Sequence, residues 1–264
     1  MATVCLAGIK IGGVLLGLSP FECVFYSSVI TVIYSSLGGL RSVIITDLIQ
    51  FFLAMIGSIW ACLYVLNLEE IGSLTQLISH VNVVDKISFL PDFDNKENLI
   101  TIFIIPIAVQ WWAVWYPGAE PGGGGYIAQR MLSAKDEKNA IYATLLFNIA
   151  HYGLRPWPWI IIALSSLVVY PSLVDISLAF PNVDKTIIGN DIAYPAMLSL
   201  LPKGLLGLVL ASLIAAFMST ISSHLNWGAS YISIDFYKRF INMNASEKQV
   251  VLIGRISTVI LMIL

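Results

Sequence analysis

Apolar runs long enough to cross a bilayer recur along this chain, and they decide what it can fold into. A membrane's hydrocarbon core takes about 20 apolar residues per helix. The runs lie at residues 4–18, 21–37, 43–66, 99–132, 140–170 and 203–234, and a last one starts near Gln249 and is still apolar at Leu264. The chain is 58% hydrophobic and 11% charged, against about 25% charged for a soluble domain. At 264 residues no soluble core hides that much apolar surface, so much of it faces lipid. The pattern predicts an all-α, polytopic membrane protein of about seven spans over residues 1–264, an integral protein of the plasma (inner) membrane whose first partner is the lipid bilayer.

Several function classes drop out. The net charge of -2 and the scattered basic residues give no face for nucleic acid. Cys5, Cys23 and Cys62 sit inside apolar runs without metal-ligand spacing and read as small buried hydrophobes. His80, His151 and His224 share no ligand spacing, and no metalloprotease, nucleophile-elbow, P-loop or dinucleotide signature is present. The chain is therefore expected to be no enzyme and to need no organic cofactor. Residues 4–18 resemble a signal sequence in length, but Lys10 interrupts them and no small-residue cleavage site follows. The apolar ends at both termini predict a piece of a longer chain, which would not transport by itself.

Loop charges orient the spans. Arg41, Arg130, Lys135, Lys138, Lys238, Arg239 and Lys248 fall in one set of loops. The opposite set holds Lys86, Lys96, Lys185 and Lys203 against Glu69, Glu70, Asp85, Asp92, Asp94, Glu97, Asp175, Asp184 and Asp191. The positive-inside rule places the first set in the cytoplasm. Trp60, Tyr64 and Tyr170 near span ends suit the interfacial belts.

Three places carry candidate chemistry. The first is the run from Gln110 through Trp111, Trp112, Trp115, Tyr116, Pro117, Gly118, Glu120 and Pro121 to the four glycines at 122–125. Prolines and glycines at membrane depth break a helix, and the freed backbone groups are tolerated only where they line a cavity or meet protein. Broken helices present backbone dipoles to solute or ions in many transporters, and the aromatic side chains suit stacking on a small organic solute. The competing reading is a glycine loop outside the membrane. The second place is Ala215 to Ser223, where hydroxyls and a carbonyl offer hard oxygens to a small cation; in membrane helices such hydroxyls more often bond back to the i−4 carbonyl. The third is Asp47, a carboxylate inside an apolar run. Such a group is a functional candidate by default, unless its nearness to Arg41 leaves it hydrated at the cytoplasmic end. Arg155 beside the predicted kink at Pro156-Trp157-Pro158 raises the same question.

Three segments, in order, resemble the sodium/solute symporter family of sugar, proline and pantothenate carriers. Tyr34 to Gln50 resembles the family's glycine-glycine loop followed by T-D-x-x-Q, and Tyr126 to Lys135 its Q-R-x-x-x-A-K segment. Leu201 to Tyr237 resembles its eighth core helix. The resemblance implies a LeuT-type core of inverted repeats, of which this chain would cover the end of the third to part of the ninth core helix. It implies sodium-coupled symport of a small organic solute (a sugar, amino acid or carboxylate) by alternating access. Carried over by position, Ala216 would give sodium a backbone carbonyl and Ser219 and Thr220 hydroxyls, while Asp47 would lie near the ion's inward exit. Gln110, Trp111, Trp112, Trp115, Tyr116, Glu120 and Asn148 would be solute-binding candidates. A sensor built on the same helices without transport is the alternative.

Overall fold

A computed structural model of the chain describes residues 2–88, 90–110 and 125–263. Among them every regular element is helical. In chain order these are α1 (Ala2–Leu16), α2 (Pro20–Leu66), α3 (Leu74–Ser79), α4 (Gly125–Leu132), α5 (Glu137–Asn148), α6 (Pro156–Val169), α7 (Leu173–Ala179), α8 (Ala193–Leu198), α9 (Lys203–Ser230) and α10 (Glu247–Ile263). The described stretches Val43–Leu66, Glu137–Val169 and Lys203–Ile241 are long and apolar enough to cross a membrane, and Ala2–Leu16 with Pro20–Ile33 forms a fourth, bent candidate. The chain is thus an all-α membrane protein. α10, at 17 residues, falls just short of the usual span length.

The chain divides into two compact units, Met1–Ser73 with Pro158–Leu264, and Leu74–Trp157. In the first, α9 packs along α2, α10 lies against both, and α1 touches α2, α8 and α9. Phe217, Ile221 and Leu225 of α9 form a buried cluster, with Val4, Cys5, Val32, Leu261 and Met262 against them. Backbones approach closely where side chains vanish. A Cβ on Gly57 would lie 3.6 Å from the Val209 Cα, the small-residue contact by which helices associate in lipid, where the hydrophobic effect gives no drive. A second cluster, Ile176, Val183 and Ile192, gathers Val14, Tyr170, Phe180, Ile187 and Ile188. It gives the polar-looking stretch between α6 and α9 a core of its own. In that stretch Asp184 accepts from the Thr186 backbone N–H at 2.9 Å and its hydroxyl at 2.8 Å, and these bonds hold its carboxyl below the usual carboxylate range.

α1 and α2 meet at a break of 111°. Gly17 ends α1 with φ at +66°, a conformation that only glycine adopts cheaply. Ser19 then caps α2: its backbone N–H donates to Glu22 Oε2 at 2.9 Å, and the Glu22 N–H returns to Ser19 Oγ at 3.4 Å. Pro20 occupies the first helical position, where its missing donor is not needed. The sequence reading differs from the structure further along. Residues 21–37 and 43–66 were expected as two spans joined by a loop at the glycine pair; the backbone of α2 is helical throughout Pro20–Leu66. Gly38 and Gly39 each weaken a helix by about 1 kcal/mol, too little to interrupt the helix formed on either side of them.

In the second unit, Asn95 caps a turn at Lys96–Asn98, its side chain accepting from the Asn98 N–H at 3.2 Å. The helix then widens to i→i−5 bonding over Leu99–Ile104 and Pro106–Gln110. Pro106, which has no N–H to give, opens the second widened stretch, with Ile105 between the two. Asp136 caps α5, accepting from the Asn139 N–H at 2.8 Å. A third widened stretch, Ile149–Leu154, follows α5 and closes with the Arg155 N–H on the Ala150 carbonyl at 3.0 Å, immediately before Pro156.

Candidate functional site: a hydroxyl cluster in a membrane helix

Ala216, Ser219 and Thr220 lie within one turn of α9. Spacings of three and four residues put them on one face, beside the face through which Phe217, Ile221 and Leu225 are buried. Ser219 and Thr220 are half-buried and Ala216 is exposed. The Thr220 hydroxyl donates to the Ala216 carbonyl at 3.1 Å. This back-bond, the ordinary behaviour of threonine in a membrane helix, has a chemical consequence. It directs the hydroxyl proton along the helix and leaves the oxygen lone pairs outward, the orientation a hard cation requires. The Ala216 carbonyl meanwhile takes two donors, the Thr220 hydroxyl and the helical N–H four residues on. The Ser219 carbonyl accepts from the Ser222 hydroxyl at 3.0 Å.

Asp47 is half-buried on α2, the helix that packs along α9, and its Oδ1 is shielded from solvent. It lies in the first turns of the membrane-capable stretch Val43–Leu66.

The expected solute residues are less evenly placed. Trp111, Trp112, Trp115, Tyr116 and Glu120 lie outside the described residues, and Gln110 ends the widened stretch Pro106–Gln110. Asn148 ends α5; it is exposed and its Nδ2 donates to the Thr144 carbonyl at 2.8 Å. One helical turn on stands a cluster that sequence reasoning did not assemble. His151 stacks on Phe147 with ring centroids 5.0 Å apart and meets Tyr152 edge-on at 4.8 Å. The Arg155 guanidinium lies 3.3 Å from His151 Nε2. The spacing of four between His151 and Arg155 was the available signal.

A second missed feature is the pairing of Lys10 with Asp191. The Lys10 ammonium reaches both carboxylate oxygens, at 2.8 and 2.6 Å. Its signal was a lone lysine in an apolar run, which must snorkel to water or find a counter-charge.

The whole chain, residues 1–264, matches the model of the sodium:solute symporter family. The chain belongs to that family. Among its relatives are the sodium/glucose cotransporter of Vibrio parahaemolyticus, 28% identical over 95% of this chain and 47% of the relative, and sodium/glucose cotransporter 4 of Mus musculus, 28% identical over 89% of this chain and 36% of the relative. Sodium/myo-inositol cotransporter 2 of Homo sapiens is 29% identical over 89% of this chain and 36% of the relative. The chain thus spans less than half the length of these curated relatives. The family and these relatives are transporters rather than enzymes.

Proposed function

We propose that this chain forms the central part of a sodium-coupled symporter that carries a small polyhydroxylated solute of the sugar or inositol class across the plasma membrane by alternating access. The family match over residues 1–264 carries the reading, and the relatives' names for glucose and myo-inositol supply the solute class. In this reading Ser219 and Thr220 ligate sodium through their hydroxyls, with Ala216 adding its carbonyl. Asp47 lies near the inward path of the ion. Gln110, Trp111, Trp112, Trp115, Tyr116, Glu120 and Asn148 contact or gate the solute. The chain corresponds to the stretch from the end of the third to part of the ninth helix of a LeuT-type core. Sodium drives transport only if it stabilises the solute-binding state more than the other, so ion and solute must share contacts that differ between the two states.

The test uses the transporter that carries this chain. Hydrogen bonds and ion contacts of a charged group are worth about 1.5–3 kcal/mol each. Ser219→Ala and Thr220→Ala should therefore each raise the sodium concentration for half-maximal uptake roughly tenfold, with solute specificity unchanged. Uptake by the double variant with wild-type sodium dependence would remove this cluster from the ion site.

A further inference from the structure

Lys10 is the one basic residue in α1, and its side chain retains 13% of its exposure. Its partner Asp191 keeps 60% and lies 181 residues away in sequence, on the short turn Asn190–Ile192 that precedes α8. A nearly dehydrated ammonium on one helix is therefore neutralised by a carboxylate brought from the segment that links α6 to α9. That segment also reaches α1 through apolar contact: Val14, one turn beyond Lys10, packs against the cluster of Ile176, Val183 and Ile192. The ion pair and the apolar cluster thus grip α1 at adjacent turns, and α1 additionally touches α8.

We propose that Lys10 and Asp191 are a positioning pair that straps the segment between α6 and α9 onto α1, so that the two move as one piece during the transport cycle. The consequence for transport rests on the symport reading above; the strap itself does not. The pair is asymmetric. Removing the carboxylate leaves a buried ammonium without its counter-charge, whereas removing the lysine leaves a carboxylate that water already reaches. Lys10→Met keeps the length and apolar body of the side chain and should leave the helix intact. Asp191→Asn should be the more damaging single change, and the double variant Lys10→Met with Asp191→Asn should be no worse than Lys10→Met alone.

Hydrogen exchange of the amides of Ile187, Ile188, Ile192 and Ala193, measured on the purified full-length protein in lipid nanodiscs, reads the strap directly. In Lys10→Met these amides should exchange at least tenfold faster than in wild type, with the amides of α9 unchanged. The second reading is uptake. The solute concentration for half-maximal uptake should rise severalfold, while the sodium half-saturation stays within twofold. Exchange within twofold of wild type overturns the strap. Faster exchange with an unaltered solute half-saturation overturns its positioning role. If Lys10→Met yields no folded protein, Lys10→Arg against Asp191→Asn supplies the same comparison, the first expected to match wild type and the second to exchange faster. If the wild-type protein carries no solute at all, the symport reading fails and the exchange result still decides the strap.

Discussion

Residues 17–20 and residues 38–39 both place glycine within long apolar helices, yet the chain turns through 111° at the first and runs on as helix at the second. Glycine alone does not explain the difference. At the first site three devices act together. Gly17 adopts a positive φ, Pro20 withholds a donor, and Ser19 with Glu22 supplies replacement bonds for the new helix end. At the second site there is neither proline nor cap, and the glycines cost about 1 kcal/mol each. Breaking the helix there would create two new helix ends whose backbone groups have no ready replacement partners. A bilayer-spanning helix therefore ends where alternative hydrogen bonds are ready, and not merely where propensity is low.

The largest effect expected around the first break comes from Gly12, where α1 folds back on the start of α2. A Cβ built on Gly12 would overlap the Cys23 thiol, and Cys23 is itself buried. Gly12→Leu should destabilise by about 1–3 kcal/mol, the usual cost of overpacking, seen as a lowered midpoint of thermal unfolding in detergent. Gly12→Ala should be substantially rescued by Cys23→Ala, which clears the overlapping sulfur. A Gly12→Leu protein as stable as wild type would show that α1 and α2 do not pack this closely.

How much of this was legible beforehand follows from the range of the interactions. The membrane-capable stretch Val43–Leu66 coincides with a run read from hydropathy, because apolar length is a local property. Ala216, Ser219 and Thr220 were named from the family resemblance, and their three- and four-residue spacings put them on one helix face. The break at Gly17 to Pro20 was legible as the gap between the apolar runs 4–18 and 21–37, whereas its cap was not read. The loop expected near Gly38 was not there, because a helix's persistence depends on the cost of the alternative, which no propensity expresses. The Lys10–Asp191 pair lay beyond reach, its members being 181 residues apart. The Ala216 carbonyl's second donor was equally hidden, since the general tendency of threonine to back-bond does not say which rotamer this one adopts.

A smaller effect tests the cap at the same break. Ser19→Ala removes the oxygen that accepts the Glu22 N–H and also contacts the Glu22 carboxylate at 2.7 Å. The expected loss is about 1 kcal/mol, read from chemical or thermal unfolding, with Ser19→Asp retaining most of the stability. If Ser19→Ala is neutral, the bend is held by the proline and the packing at Gly12, and the capping box contributes nothing.

The smallest effects set the two glycine sites directly against each other, and their signs differ. Gly17 has open space where a Cβ would go, with nothing within 4 Å, so Gly17→Ala meets no steric neighbour. Its only cost is a side chain at φ +66°, about 1 kcal/mol of destabilisation. Gly39→Ala acts on backbone that is helical in α2; there alanine should stabilise by about 0.5–1 kcal/mol, through a less flexible unfolded chain and a better helix former. Both variants carry one extra methyl, so hydrophobicity cancels in the comparison. Thermal unfolding of the two in the same detergent should move the midpoint in opposite directions. If Gly39→Ala lowers it as Gly17→Ala does, residues 38–39 need a conformation that only glycine adopts, and two separate helices joined by a glycine loop replace the single long α2.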